Sequence, residues 1–203
     1  MYYLSHDTNI ELIRARKQHS CYGMGLGIMI LDEVYPGFPG DVRNASAFPY
    51  PIQYDIVQDI DIYKLVWEED KTQCREPILA AAKRLEKMGC RAIATECGYF
   101  AYFQQEVAGY VDIPVFMSSL LQVPMIQQTI GKNRSVGIVA AMGKFLTETH
   151  LKNVGIAPDS NYFIAGAQDE YGCTEFDNLW NARVRKEVPE AYYSKAEKQM
   201  IAM

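Results

Sequence analysis

Several features that usually announce a dedicated chemistry are missing from this chain. Its five cysteines (Cys21, Cys74, Cys90, Cys97 and Cys173) are odd in number and never stand at CxxC spacing, which excludes a disulfide framework and a zinc ribbon. Histidine is scarce: His6, His19 and His150 are scattered and form no metal-ligand pattern, so no metal site is expected. Basic charge is not in excess, because 20 Lys and Arg against 25 Asp and Glu leave a formal charge of −5. Nucleic acid is therefore not an expected partner. Long apolar runs are absent too. The uncharged stretch from Ile113 to Gly131 contains Pro114, Pro124, two serines and three glutamines, which removes it as a membrane span. The N-terminus has no basic start followed by an apolar stretch, so no secretory signal is visible and a cytoplasmic location is expected.

What remains is an ordinary globular composition, 49% hydrophobic and 22% charged over 203 residues. The first 22 residues read as a polar arm. Gly27 to Leu31 (GIMIL) is an apolar run of strand length, followed by a long loop through GFPGDVRNASAFPYP. Tyr54 to Val57 predicts a second strand. A helix follows in which Pro77 suits the first turn, Ile78, Ala82, Leu85 and Met88 recur at helical spacing, and Gly89 stops it. Arg91 to Thr95 predicts a strand, and Gly98 permits a tight turn into a helix closed by Gly109. Val115 to Met117 predicts another strand, and Ser118 and Ser119 open a helix with Pro124 near its first turn. After GKNR the pattern restarts: a strand at Val136 to Ala140, a helix from Leu146 to Val154, a strand at Tyr162 to Ala165, and a helical pattern from about Glu175. Strands alternating with helices predict an α/β fold with parallel sheets. The division is 1–22 for the arm, 23–132 for a first α/β unit and 133–203 for a second.

Ligands of open parallel sheets bind beyond the carboxyl ends of strands. Cys97 falls at such an end, just before a helix, where terminal N–H groups and the macrodipole favour a thiolate able to act as nucleophile or base. A buried, inert thiol is the structural alternative. Ser118 and Ser119 stand at the end of the next strand, where hydroxyls and backbone N–H groups suit a carboxylate, although at least one is expected to cap its helix. In the loop after the first strand, Asp41, Arg43 and Asn44 are the polar candidates, with Arg43 able to grip a carboxylate bidentately. GMGLG at Gly23 to Gly27 precedes its strand and so does not read as a dinucleotide loop. Tyr99, Phe100, Tyr102 and Phe103 read as a helix face packed on the sheet.

GDVRNASAFPYP (Gly40 to Pro51), ATECGYF (Ala94 to Phe100) and SVGIVA (Ser135 to Ala140), in that order, resemble the aspartate/glutamate/hydantoin racemase superfamily. The resemblance implies two pseudo-symmetric, Rossmann-like parallel-sheet units with a cleft between them, and cofactor-independent racemisation of an amino acid or related small carboxylate by two cysteines. Cys97 matches the first of these, as the thiolate base, with Asn44, Arg43, Gly98, Tyr99, Ser118 and Ser119 as candidate substrate-binding residues. Decarboxylation or diacid isomerisation occurs in the same superfamily through similarly charged species, and a catalytically silent carboxylate-binding protein is a further alternative. The second family cysteine should follow a later apolar strand. Cys173 lies in GCTEF, but the preceding QDEY is too polar for that strand, so the second unit reads as incomplete. The expectation is that the native product continues past Met203, or that a second chain, as in a homodimer, completes the sheet.

Overall fold

The computed structural model describes residues 19–34 and 37–167. A four-stranded parallel sheet runs in the order β2-β1-β3-β4, from β1 (Leu26–Leu31), β2 (Ile52–Val57), β3 (Ala92–Thr95) and β4 (Val115–Phe116). A second, two-stranded parallel sheet pairs β5 (Val136–Ala140) with β6 (Tyr162–Gly166), Val136 opposite Tyr162 and Ala140 opposite Gly166. The α/β class with parallel sheets is therefore observed directly. Residues 1–18 of the arm, the helical pattern from Glu175, Cys173 and the end of the second unit lie outside the described residues.

β1 is the apolar run that the sequence singles out, and it sits between two neighbours. Ile28 and Met29 are fully buried and Leu31 is nearly so, which is how a parallel strand covered on both faces reads. Packing is tight at Gly27: a Cβ there would stand 3.1 Å from both the Cys90 Sγ and the Leu85 side chain, so either neighbour would have to give by a few tenths of an ångström. The absence of a side chain lets the last turn of α1 (Thr72–Lys87) close against the strand. α1 begins a full turn earlier than predicted. Cys74 is completely buried on the same face as Ile78, Ala82 and Leu85, and this apolar spacing carries the helix back past Pro77, which sits inside it rather than in its first turn. The end is as read. Gly89 adopts φ +79°, the Gly89 amide donates to Glu86 and the Cys90 amide to Leu85, closing the helix by two reversed bonds.

Three further helices differ from expectation at their starts. The helix after Cys97 opens as a 3-10 turn, Gly98–Phe103, and becomes α2 only over Gln104–Tyr110, so Gly109 lies inside it. Ser119–Gln122 is likewise 3-10, and α3 (Val123–Ile130) follows with Pro124 in its first turn. α4 is shorter than read, Glu148–Asn153, because Thr147 caps it in a reciprocal capping box with His150.

The apolar interior forms two clusters. One gathers β1, α1 and the 3-10 turn after Cys97 and includes Met142; the other gathers Val123 of α3, Val136 and Ile138 of β5, Leu151 and Val154. Tyr99 and Ala101 lie two residues apart in the 3-10 turn and belong to different clusters, so that turn is the seam between the sheets.

Candidate active site

Parallel pairing of β3 with β1 and β4 brings their carboxyl ends to one edge. The Glu96 amide donates to the Met29 carbonyl, and the Thr95 hydroxyl lies 2.7 Å from the Met117 carbonyl and 3.2 Å from that of Cys97. These bonds fix Cys97 beside the end of β4. There a cavity of about 290 Å³ opens, walled on one side by Glu96, Cys97, Gly98, Tyr99, Ser118 and Ser119 and on the other by Ile138 to Ala141 and Leu146. It is a cleft between the two sheets, near the lower end of the usual ligand-pocket range.

Cys97 is 9% exposed and lines this cleft. Gly98 is exposed, and its φ is not left-handed, so the turn itself does not demand glycine. A Cβ there would come 3.5 Å from the Ser118 Oγ, an ordinary contact that measures how closely the two loops approach. The Ser118 Oγ accepts the Leu120 amide at 3.2 Å, the capping role expected of one of the two serines, and its hydroxyl proton remains a donor. Ser119 is exposed at the rim. The first amides of a helix lack intrahelical acceptors, so the opening of the 3-10 turn at Gly98 and Tyr99 supplies donors at the cleft wall.

Arg43 and Asn44 stand outside the cleft lining. The Asn44 Oδ1 accepts the Ser46 amide and caps the short helix Ala45–Ala47, while its Nδ2 donates to the Gly37 carbonyl. Arg43 grips a carboxylate bidentately as its chemistry suggests, but the carboxylate belongs to the protein. Its Nε donates to Glu96 Oε2 at 2.6 Å and an Nη to Oε1 at 2.8 Å. The other donors reach the carbonyls of Leu31 and Glu33, and the Glu33 carboxylate lies 3.8 Å away. Glu96 Oε1 also accepts the Leu31 amide at 2.9 Å. The side chains of Arg43, Glu96 and Glu33 are 9%, 4% and 0% exposed. Arg43 therefore ties the end of β1 to the residue before Cys97.

Tyr99 lines the cleft, yet its hydroxyl is engaged: it donates to the Met142 carbonyl and accepts the Met142 amide, both at 2.8 Å. Burial pushes its pKa up to about 12, which makes it a strut between the sheets rather than a proton donor. Gln104, unremarked in the sequence, is buried and completes the edge of β4, donating to the Val115 carbonyl and accepting the Met117 amide. Cys74 and Cys90 have pKa values pushed up to about 11 by burial and are thiols at neutral pH. Among the described residues, no three His, Cys, Asp or Glu side chains gather as a metal-ligand set, and no helix is long and apolar enough to cross a membrane.

No family model matches the chain. Its sequence relatives are dimethylsulfoniopropionate lyases. Dimethylsulfoniopropionate lyase 7 of Emiliania huxleyi (strain CCMP1516) is 30% identical over 156 residues, which cover 75% of this chain and 46% of that protein. The dimethylsulfoniopropionate lyase of Durusdinium sp. clade D is 31% identical over 152 residues, 72% of this chain and 50% of that protein. The chain thus spans about half the length of the curated relatives it matches. Among solved structures, an aspartate racemase homologue from Pyrococcus horikoshii OT3 aligns over 79% of this chain and 73% of its own at 16% identity, with a TM-score of 0.44. The resemblance expected is to the racemase superfamily with decarboxylation as an alternative reaction; the lyase names of the sequence relatives are in line with that alternative and do not point to racemisation.

Proposed function

We propose that this chain carries the base of a lyase that cleaves a small carboxylate bearing a leaving group on its β-carbon, with dimethylsulfoniopropionate as the leading candidate. The observation that carries this reading is Cys97, held at a strand end in the wall of a cleft where Ser118, Ser119 and the amides of the 3-10 turn are neutral donors and the neighbouring Glu96 carboxylate is paired with Arg43. In the step proposed, the Cys97 thiolate takes the α-proton next to the carboxylate. The electron pair forms the carbon–carbon double bond as the β-carbon–sulfur bond breaks, so dimethyl sulfide leaves neutral and acrylate remains. Charge building on the carboxylate is met by the Ser118 and Ser119 hydroxyls and the amides of the 3-10 turn.

Elimination needs one base, whereas racemisation needs a base and an acid on opposite faces of the α-carbon. Cys97 is the one thiol in the described lining, and the Glu96 carboxylate is turned to Arg43 and the Leu31 amide. The lyase names of the relatives support the same choice. Gas chromatography of headspace dimethyl sulfide over the protein with dimethylsulfoniopropionate tests it, with Cys97→Ser in parallel. Release that disappears in the variant is the expected result. Solvent deuterium entering the α-carbon of a single-enantiomer amino acid, without dimethyl sulfide, would return the assignment to racemisation; binding of small acids without either reaction would make the chain a carboxylate-binding protein.

A further inference from the structure

A second cavity, about 460 Å³, lies where the loop after β2 meets α4, apart from the Cys97 cleft. Its wall includes Trp67, Tyr102, Phe145, Lys71 and His150, with Glu68 and the exposed Glu69 at the rim. Two of these residues are unusual. Lys71 is 6% exposed, and its ammonium rests on the carbonyls of Val66 and Glu68 instead of a carboxylate. An ammonium has three donors and this one uses two. His150 is 1% exposed, and its Nδ1 accepts the Thr147 amide at 3.1 Å. A nitrogen that accepts carries no proton, so in the neutral ring the proton sits on Nε2. That Nε2 is buried and has no hydrogen-bond partner. Burial holds His150 neutral, its pKa pushed down to about 4, with Lys71 adding to the effect.

Buried donors without acceptors are costly, and the buried Lys71 ammonium, though it feels the Glu68 carboxylate, hydrogen-bonds to carbonyls alone. One anion with two oxygens would satisfy both, and an apolar body of a few carbons would lie against Trp67 and Phe145, whose rings are 6.1 Å apart. We propose that this cavity is a second ligand site, specific for a small monocarboxylate held between Lys71 and His150. Its occupancy would be felt at the Cys97 cleft through Tyr99, because the Tyr99 ring packs edge-on against His150 at 6.0 Å while its hydroxyl holds Met142.

The test is a titration of the full chain with sodium propionate, following the His150 Nε2–H pair by nitrogen–proton correlation NMR. Propionamide, the neutral isostere, is the parallel probe. Propionate is expected to shift the His150 signal in wild type and in Cys97→Ser alike, and propionamide is expected to leave it unmoved. Lys71→Met is expected to weaken the propionate response at least tenfold while the backbone amide spectrum stays folded. A His150 signal that responds to neither probe, or equally to both, overturns the proposal without use of any variant. Loss of the response in Cys97→Ser would also overturn it by assigning the effect to the cleft. Dimethyl sulfide release is not among these readouts, so failure here and failure of the lyase reading are separate outcomes.

Discussion

Replacing Arg43 with methionine tests whether the charged cluster under Cys97 organises the site. The substitution removes the bidentate contact to Glu96 and the donors to the carbonyls of Leu31 and Glu33. Two carboxylates remain whose side chains are 4% and 0% exposed. Water cannot easily compensate them. Breaking a buried pair from one side typically costs about 3–5 kcal/mol, because it leaves a buried charge uncompensated. For a chain of this size that is a fall in Tm of roughly 6–20 °C, at about 2–4 °C per kcal/mol. Urea unfolding followed by circular dichroism measures the loss, and Glu96→Gln with the double variant completes a cycle. The double variant should be less destabilised than the sum of the singles, since removing both charges leaves less to compensate. An Arg43→Met loss below about 1 kcal/mol, or strictly additive effects, would refute the claim that Arg43 and Glu96 act as one buried unit.

Tyr99→Phe keeps the ring but strands the Met142 amide and carbonyl, so a loss of roughly 2–4 kcal/mol by urea unfolding is expected; a loss within 0.5 kcal/mol, by the same principle, would remove its strut role. Iodoacetamide with peptide mass mapping at pH 7 should label Cys97 and spare the fully buried Cys74 and Cys90. Bound propionate should slow labelling at Cys97, and equal labelling of Cys74 would contradict the packing described. For His150, folded pKa about 4 against 6.5 unfolded means that the unfolded chain binds the proton first as pH falls. The wild type should therefore lose up to about 3 kcal/mol relative to His150→Gln between pH 6.5 and 4, and parallel stability–pH curves would count against a buried neutral imidazole.

How much of this was legible in the sequence depends on the range of the interaction. The strands could be read because a parallel strand covered on both faces is an unbroken apolar run, as in Ile28, Met29 and Leu31. The Schellman-type close at Gly89 and the cap at Ser118 are local and were equally readable. Cys97 was placed correctly at a strand end for the same reason. The start of α1 differs because Pro77 reads as a first-turn residue, whereas the buried Cys74 carries the apolar face one turn further back, as free cysteine commonly does. Arg43 was recognised as a bidentate donor, but its partner lies 53 residues away, and no spacing rule links a loop arginine to a glutamate at the end of another strand. Gln104 looked like any polar helix residue, and His150 like a stray one.

The long-range contacts that sequence spacing could not reveal are the ones that shape the cleft. Glu96 precedes the thiol directly, and an unopposed carboxylate there would disfavour a second negative charge beside it. Arg43 supplies the opposing charge from the long loop after β1, which gives that loop a role even though Arg43 and Asn44 stay out of the lining. Tyr99 then fixes the opposite wall by holding both polar groups of Met142, whose neighbours Ala140 and Ala141 line the cleft. A one-base elimination asks for this arrangement: a thiol set rigidly at one strand end, its neighbouring charge balanced, and neutral donors beside it. Variants at Arg43, which stays out of the lining, and at Tyr99, whose hydroxyl is spent on Met142, should consequently lower turnover of a carboxylate substrate, whereas Cys97→Ser should abolish turnover and leave the fold intact.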